Sequence, residues 1–229
     1  KATGVIFENK EMYDRADQLY DVRSKKLILP SIVVPATLKD VGVQLRQSTL
    51  KVLMLCGWQR NKNILLIPEL ARYLKELGVN VEFILTVELD DSSCSKDFLN
   101  LLDKWQSADC VSLIGTVSQS QLPQLYSSVE QVLLLSLLES FSNNIIESWY
   151  YKRPLIIADE PWARAICNNA AYYVPRNDVK AIAQAIIDIA TNPDKTRSLI
   201  DNGNEVLLDF PDIHNRLDQE LDYISSFYD

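Results

Sequence analysis

Histidine occurs once in the 229 residues, at position 214. It lies near the start of the last amphipathic stretch, far from any strand end, and reads as a surface or capping residue. Chemistry that depends on a histidine base is therefore not expected. The chain has no Ser-His-Asp set, no H-E-x-x-H, no P-loop and no Asp-x-Asp; Asp90 and Asp91 are adjacent rather than spaced. The four cysteines, Cys56, Cys94, Cys110 and Cys167, are far apart and form no C-x-x-C. That argues against a zinc site or a redox pair. Cys56, Cys110 and Cys167 stand next to apolar residues and read as buried thiols in a reducing cytosol. No basic run is longer than Lys25-Lys26, and 23 Lys and Arg face 31 Asp and Glu, a net charge of -8. Such a chain is a poor partner for nucleic acid, whose phosphates need clustered cations. A local cationic pocket for one small anion stays open. The longest apolar run, Val132 to Leu138 with Ser136 inside it, is far too short to span a bilayer. No signal peptide is visible.

What is present is a globular composition. Hydrophobic residues make up 47%, enough for a substantial core, and charged residues 24%, near the globular average. The opening "KATGVIFEN" reads as a strand with neither Met nor leader, so the chain is expected to be a fragment of something longer. Strand 4–7 and a polar helix at 10–20 come first. An extended crossing segment with two prolines (26–35) and a polar linker (36–50) follow. From residue 51 on, apolar strands alternate with amphipathic stretches. Strands are expected at 51–57, 81–87, 111–115, 131–137, 154–158 and 171–174. Helices are expected at 63–77, 95–105, 119–128, from between Ser142 and Asn144 to Pro154, at 161–168, 178–191, 194–208 and 212–228. Near-continuous apolar strands in βα alternation imply an α/β fold, a doubly wound, Rossmann-like parallel sheet covered on both faces. Ligands of such sheets bind where the strands end. The informative segments are therefore 57–62, 87–91, 115–118, 138–144 and 158–161.

Two of these carry chemistry. In "SLLESFSNNIIESW" (136–149), Glu139 falls in the turn after a strand and Glu147 about one turn into the next helix. Two readings fit. The first N–H groups of a helix lack intrahelical partners and carry partial positive charge, so they can hold an anion such as a diphosphate between flanking carboxylates. Alternatively Asn144 caps the helix, Glu147 closes a capping box, and Glu139 is an exposed turn residue. In "CGWQRNKN" (56–63), Arg60 and Lys62 are two cations at the ligand edge. They suit phosphate oxygens, or they are solvated surface charges with Asn61 or Asn63 capping the next helix. In "ADEPWARAIC" (158–167), Asp159 reads as an N-cap with Pro161 at or near N1.

The blocks "VLMLCGWQRNKNILLIPELARYL", "VSLIGTVSQSQLPQLYSS", "LLLSLLESFSNNIIESW" and "KRPLIIADEPWARAICNNAAYYVP" stand in the order found in retaining GT-B glycosyltransferases. Over about residues 51–209 the chain resembles the "glycosyl transferases group 1" family, whose signature Glu-x7-Glu with a Phe corresponds to Glu139, Phe141 and Glu147. The resemblance implies the C-terminal, donor-binding half of the fold. Residues 1–35 would then end the N-terminal acceptor domain and cross over. Residues 36–50 would link, 51–209 would form the nucleotide-sugar domain, and 210–229 would return toward the missing N-terminal domain.

It further implies transfer of a hexosyl-type sugar from a nucleoside-diphosphate sugar to a saccharide or lipid-linked acceptor, with retention and without a metal. Polysaccharide or glycoconjugate synthesis is the implied pathway. The implied location is cytoplasmic, or peripheral at the inner face of the cell membrane. By the same resemblance Glu139 contacts donor sugar hydroxyls at the reacting centre and Glu147 the ribose. Backbone N–H groups of Phe141, Ser142, Asn143 and Asn144 bind the diphosphate. Lys62, with Arg60, neutralises it, and the main chain at Thr116 and Val117 lies along the base. The fragment alone is expected to be inactive.

Departures from the family pattern are Trp58 after Gly57, with Arg60 two positions late; Ser142 for the usual Gly; Leu135 for Pro; "TVELDDSS" for a Gly-rich turn; and Ala165 for a frequent Glu. The rival readings are a non-catalytic nucleotide-binding or interaction module, and a GT-B sugar-nucleotide epimerase.

Overall fold

The apolar strands pair as their two-sided hydrophobicity demands. In a computed structural model that describes residues 2–20, 24–32 and 49–228, the main sheet contains β3 (Leu50–Met54), β4 (Val81–Leu85), β5 (Val111–Leu113), β6 (Gln131–Leu134), β7 (Leu155–Ala158) and β8 (Tyr172–Val174). All pairings are parallel, in the order β5-β4-β3-β6-β7-β8. Alternation along each strand divides the apolar side chains between two cores. Val52, Met54, Phe83, Leu85, Leu133 and Ile156 face α2 (Ile67–Glu76), α3 (Ser93–Trp105) and α7 (Val179–Thr191). Leu53, Ile84, Val132, Leu134, Leu155 and Ile157 face α4 (Leu122–Ser127), α5 (Asn143–Tyr150) and α6 (Pro161–Cys167). The order reverses at β3, whose neighbours β4 and β6 lead away in opposite directions. That is a topological switch point, where loops diverge and leave a crevice.

Local chemistry places the helix starts. Ser92 caps α3 by accepting from the Ser95 N–H at 3.1 Å, and Asp178 caps α7. Asn192 caps α8 (Pro193–Leu207), and Asp212 caps α9 (Ile213–Ser225), whose first turn holds His214. Pro occupies the first turn of α2, α4, α6 and α8, where its missing N–H costs nothing. Gly78 ends α2 with φ 78°, the left-handed value a side chain disfavours.

Several readings of the sequence need correction; the strand expected at 51–57, for one, ends at Met54. The helix expected from 63 begins only at Ile67. Asn63 takes a left-handed conformation (φ 59°, ψ 27°) and separates two 3-10 turns, Arg60–Lys62 and Ile64–Leu66, from α2. The strand expected to reach 137 stops at Leu134, because β6 meets β3 only through Gln131 and Val132 and the chains part beyond. Asp159 is not the cap of α6. Glu160 holds that position without a side-chain bond, while Asp159 accepts from Arg164 at 2.5 and 2.9 Å.

A second, smaller body is built from the chain's two ends. β1 (Gly4–Phe7) and β2 (Lys25–Ile28) pair in parallel, joined by α1 (Lys10–Leu19). α9 lies against them: the Val5 N–H donates to the Tyr223 hydroxyl at 2.9 Å, Lys25 Nζ reaches Ser226 Oγ at 2.5 Å, and Arg216 donates to the Pro30 carbonyl. Of the extended segment expected at 26–35, the last residues lie outside the described residues, as does the linker up to 48. No helix among the described residues is long and apolar enough to cross a membrane.

Candidate functional site

The switch point is tied together from both loops. After β3 the chain makes its 3-10 turn at Arg60–Lys62, and the Asn63 side-chain amide anchors it to the Arg176 carbonyl at 2.6 Å. After β6, the Leu137 N–H donates to the Asn61 carbonyl at 2.8 Å, and the buried Trp162 indole donates to the Leu137 carbonyl at 3.1 Å. Between the loops Lys62 and Glu139 form an ion pair, their side chains only 15% and 13% exposed. Desolvation on that scale strengthens the attraction beyond that of a surface pair. Arg60 goes elsewhere. Its guanidinium pairs with Asp97 on α3 at 2.5 Å and is largely exposed. The carboxylate holds the guanidinium pKa above its usual value.

The next turn leads into α5. Its N-cap is Ser142, with φ -116°, a value open to any residue, so this turn needs no Gly in this chain. No side chain caps the helix and its first turn carries no acid. The capping box is not formed. Asn144 donates instead to the Leu55 carbonyl at 2.8 Å, and Glu147 accepts from the Tyr126 hydroxyl at 3.0 Å. The helix start thus offers uncapped N–H groups with partial positive charge. Ser142 is buried and Asn143 exposed. Phe141 packs edge-on against Phe210, ring centroids 5.7 Å apart, which anchors the turn. Burial raises the Glu147 pKa, and the Tyr126 hydrogen bond opposes the rise.

Two hollows flank these groups. A cavity of about 390 Å³ opens at the ends of β3, β4 and β5, lined by Leu55, Trp58, Thr86, Glu88, Thr116 and Val117 among others. Trp58 closes one wall: its indole N–H donates to the Glu88 carbonyl at 2.7 Å and its ring leans on Phe98. Cys56 lines the same cavity and is half-buried rather than buried; desolvation pushes its thiol up to about 12, so it stays neutral. Cys94, Cys110 and Cys167 are buried free thiols. A smaller hollow of about 70 Å³ holds Glu139, Leu138, Glu160 and Trp162 against Glu11 and Arg15 of α1. Glu147 lines neither of these two.

The terminal body touches the site directly. Asn9 caps α1 through its carbonyl oxygen, which accepts from the Met12 N–H at 2.8 Å, and its amide donates to the Ser140 carbonyl. Ser31 bonds Asn143 Oδ1 at 3.2 Å. Asn9, Tyr126 and Trp162 were not singled out in the sequence, and Asn61 was read only as a helix cap. Asn9 carries a visible N-cap signal, but its bond to Ser140 spans 131 residues. Nothing local marks Tyr126 as the partner of a carboxylate 21 positions on.

Comparison with solved structures places this geometry. Sucrose-phosphate synthase from Thermosynechococcus elongatus superposes on the whole chain with a TM-score of 0.82 at 19% identity, and the chain covers 59% of that protein. A mutant TarM of S. aureus, solved with fondaparinux, alpha-GlcNAc-glycerol and UDP, matches over 96% of the chain with a TM-score of 0.80 at 16% identity. Anabaena HepE, solved with UDP and glucose, matches over 98% with a TM-score of 0.78 at 14% identity. The chain spans only 43% of the TarM chain and 64% of HepE, so it corresponds to part of each. No curated protein matches the sequence. The family model for glycosyl transferases group 1 matches residues 42–206, most of the chain and all six strands of the main sheet. The chain belongs to the glycosyl transferases group 1 family and has the fold of the C-terminal portion of a GT-B glycosyltransferase.

Proposed function

We propose that residues 51–209 bind the donor of a retaining glycosyltransferase, a nucleoside-diphosphate sugar whose sugar passes to an acceptor hydroxyl. The observation that carries this reading is the uncapped start of α5 at Ser142–Asn144, in the loop that also presents Glu139 to Lys62 across the switch point. The diphosphate sits on the α5 N–H groups, with Lys62 as its point charge. The cavity beside Thr116 and Val117 takes the base, and Glu147 accepts from the ribose. Glu139 turns toward the donor sugar. UDP in the solved structures of TarM and HepE supports a nucleotide of this kind. Residues 1–35 and 210–229, whose described parts join in the smaller body, belong with an acceptor-binding domain, and the hollow between α1 and Glu139 is where sugar and acceptor would meet.

In this arrangement the donor C1–O bond loosens toward an oxocarbenium-like state. The α5 start and Lys62 stabilise the departing diphosphate where its charge develops. The acceptor hydroxyl attacks from the same face, and the leaving phosphate oxygen takes its proton. Glu139 orients the sugar and supports the positive charge. In the free protein Lys62 is neutralised by Glu139, so the diphosphate must share or replace that carboxylate.

Calorimetric titration of UDP, GDP and ADP into the full-length protein tests the reading. One of them is expected to bind, with Lys62→Ala weakening it at least about tenfold, the worth of a charge-assisted hydrogen bond. Arg60→Ala is expected to change affinity less than about twofold, because an exposed pair contributes little. Failure of all three diphosphates to bind, or equal losses in the two variants, overturns the assignment.

A further inference from the structure

Tyr126 has no assigned contact with the donor, yet the fold commits it to Glu147. It stands in the short helix α4 and is fully buried, among the largest side chains with no exposure. A phenol so placed needs a hydrogen-bond partner, and its hydroxyl finds Glu147 Oε2 at 3.0 Å. Its direction is fixed from two sides. The Tyr151 ring stacks on it with centroids 4.6 Å apart and planes 20° apart, and the Tyr126 carbonyl accepts from buried Arg153 Nε at 2.6 Å. Glu147 itself is only partly buried and projects from the second turn of α5. One carboxylate oxygen is therefore pinned by a donor inside the core, and the other accepts no hydrogen bond from the described residues.

We propose that Tyr126 is the positioning residue for Glu147: its hydroxyl holds Oε2, so that Oε1 is presented as the acceptor for the vicinal hydroxyls of the donor nucleotide's ribose. The proposal rests on the donor-site reading above and adds to it the group that makes Glu147 work. A neutral donor suits this task better than a cation. It orients the carboxylate without cancelling its charge, in contrast to Lys62 beside Glu139. It also opposes the effect of burial, which drives Glu147 toward the protonated form, a weaker acceptor. A ring without the hydroxyl would fill the same space, leave the carboxylate free to rotate and let it protonate more easily.

The test compares ribose with its hydroxyl-free analogue in the full-length protein. UDP, GDP and ADP, and the 2′,3′-dideoxy form of whichever binds, are titrated into wild type, Tyr126→Phe and Glu147→Gln. Tyr126→Phe is expected to weaken the ribonucleotide about tenfold and the dideoxy form less than about twofold, as expected for one hydrogen bond to a charged group. In the Tyr126→Phe/Glu147→Gln double variant the loss should match that of Glu147→Gln alone, since the two residues act as one unit. A loss equal for both nucleotides, or additive losses in the double variant, makes Tyr126 a core residue only and overturns the proposal while leaving the donor site intact. If no ribonucleoside diphosphate binds wild type, the donor-site reading falls and the proposal with it. Thermal melts of each variant accompany the titrations; a Tyr126→Phe protein too unstable to titrate also overturns it, because the hydroxyl would then be holding the fold.

Discussion

The main sheet and the terminal body are built on different principles. The main sheet buries apolar side chains on both faces, and four residues in a row are buried in β6 and again in β7. In the terminal body neither α1 nor α9 contains a buried residue, and Ile213, Leu217, Leu221 and Ile224 of α9 are all more than half exposed. Its buried apolar residues are Phe7 and Leu29, and α9 is also tied on by polar contacts, Tyr223 to Val5, Lys25 to Ser226 and Arg216 to Pro30. The difference teaches where apolar burial holds the site. The groups proposed for the diphosphate stand on the deeply buried body. The wall of the hollow beside Glu139 is supplied by α1, from the sparsely buried one.

That contrast can be broken by measurement. The largest effect is expected from Phe83→Ala, which removes a fully buried ring beneath α2 and α3. A loss of about 3–5 kcal/mol in denaturant titration is expected. A loss below about 1 kcal/mol would mean the sheet core is not the source of stability. Next comes Gly203→Ala in α8, where the new methyl would collide with the buried Trp149 indole. Overpacking there should cost about 1–3 kcal/mol. In the terminal body Tyr223→Phe removes a hydroxyl bonded to Val5 and should cost about 0.5–1.5 kcal/mol. Hydrogen exchange should show that loss as faster exchange in β1, β2 and α9, with β3, β4, β6 and β7 unchanged; uniform acceleration would show one cooperative unit instead of two. The smallest effect is the pH dependence of Glu147. Its folded pKa is raised above the ordinary carboxylate value, so its contribution to stability is complete below the unfolded pKa and is lost as pH rises through the folded one. Stability curves of wild type and Glu147→Gln should therefore converge at acid pH apart from a constant offset, and diverge as the carboxylate ionises. Parallel curves across the whole range would sink this.

The sequence by itself determined the sheet. Runs such as Val132–Leu134 and Leu155–Ile157 must be buried on both faces, and their alternation with amphipathic helices leaves little but a parallel, doubly wound arrangement. It also determined that Glu139 and Glu147 would flank a helix start, because that follows from local spacing. Only the tertiary structure decided what each charged group meets. Arg60 and Lys62 are two residues apart, and both read in sequence as cations at the ligand edge. A left-handed Asn63 and a 3-10 turn send one to Glu139 and the other to Asp97. Tyr126 and Asn9 became part of the site through bonds spanning 21 and 131 residues. Periodicity records which face of an element is dry, a property of neighbours three or four residues apart. The direction of a single polar side chain depends on loops folded in from elsewhere, which no local pattern encodes.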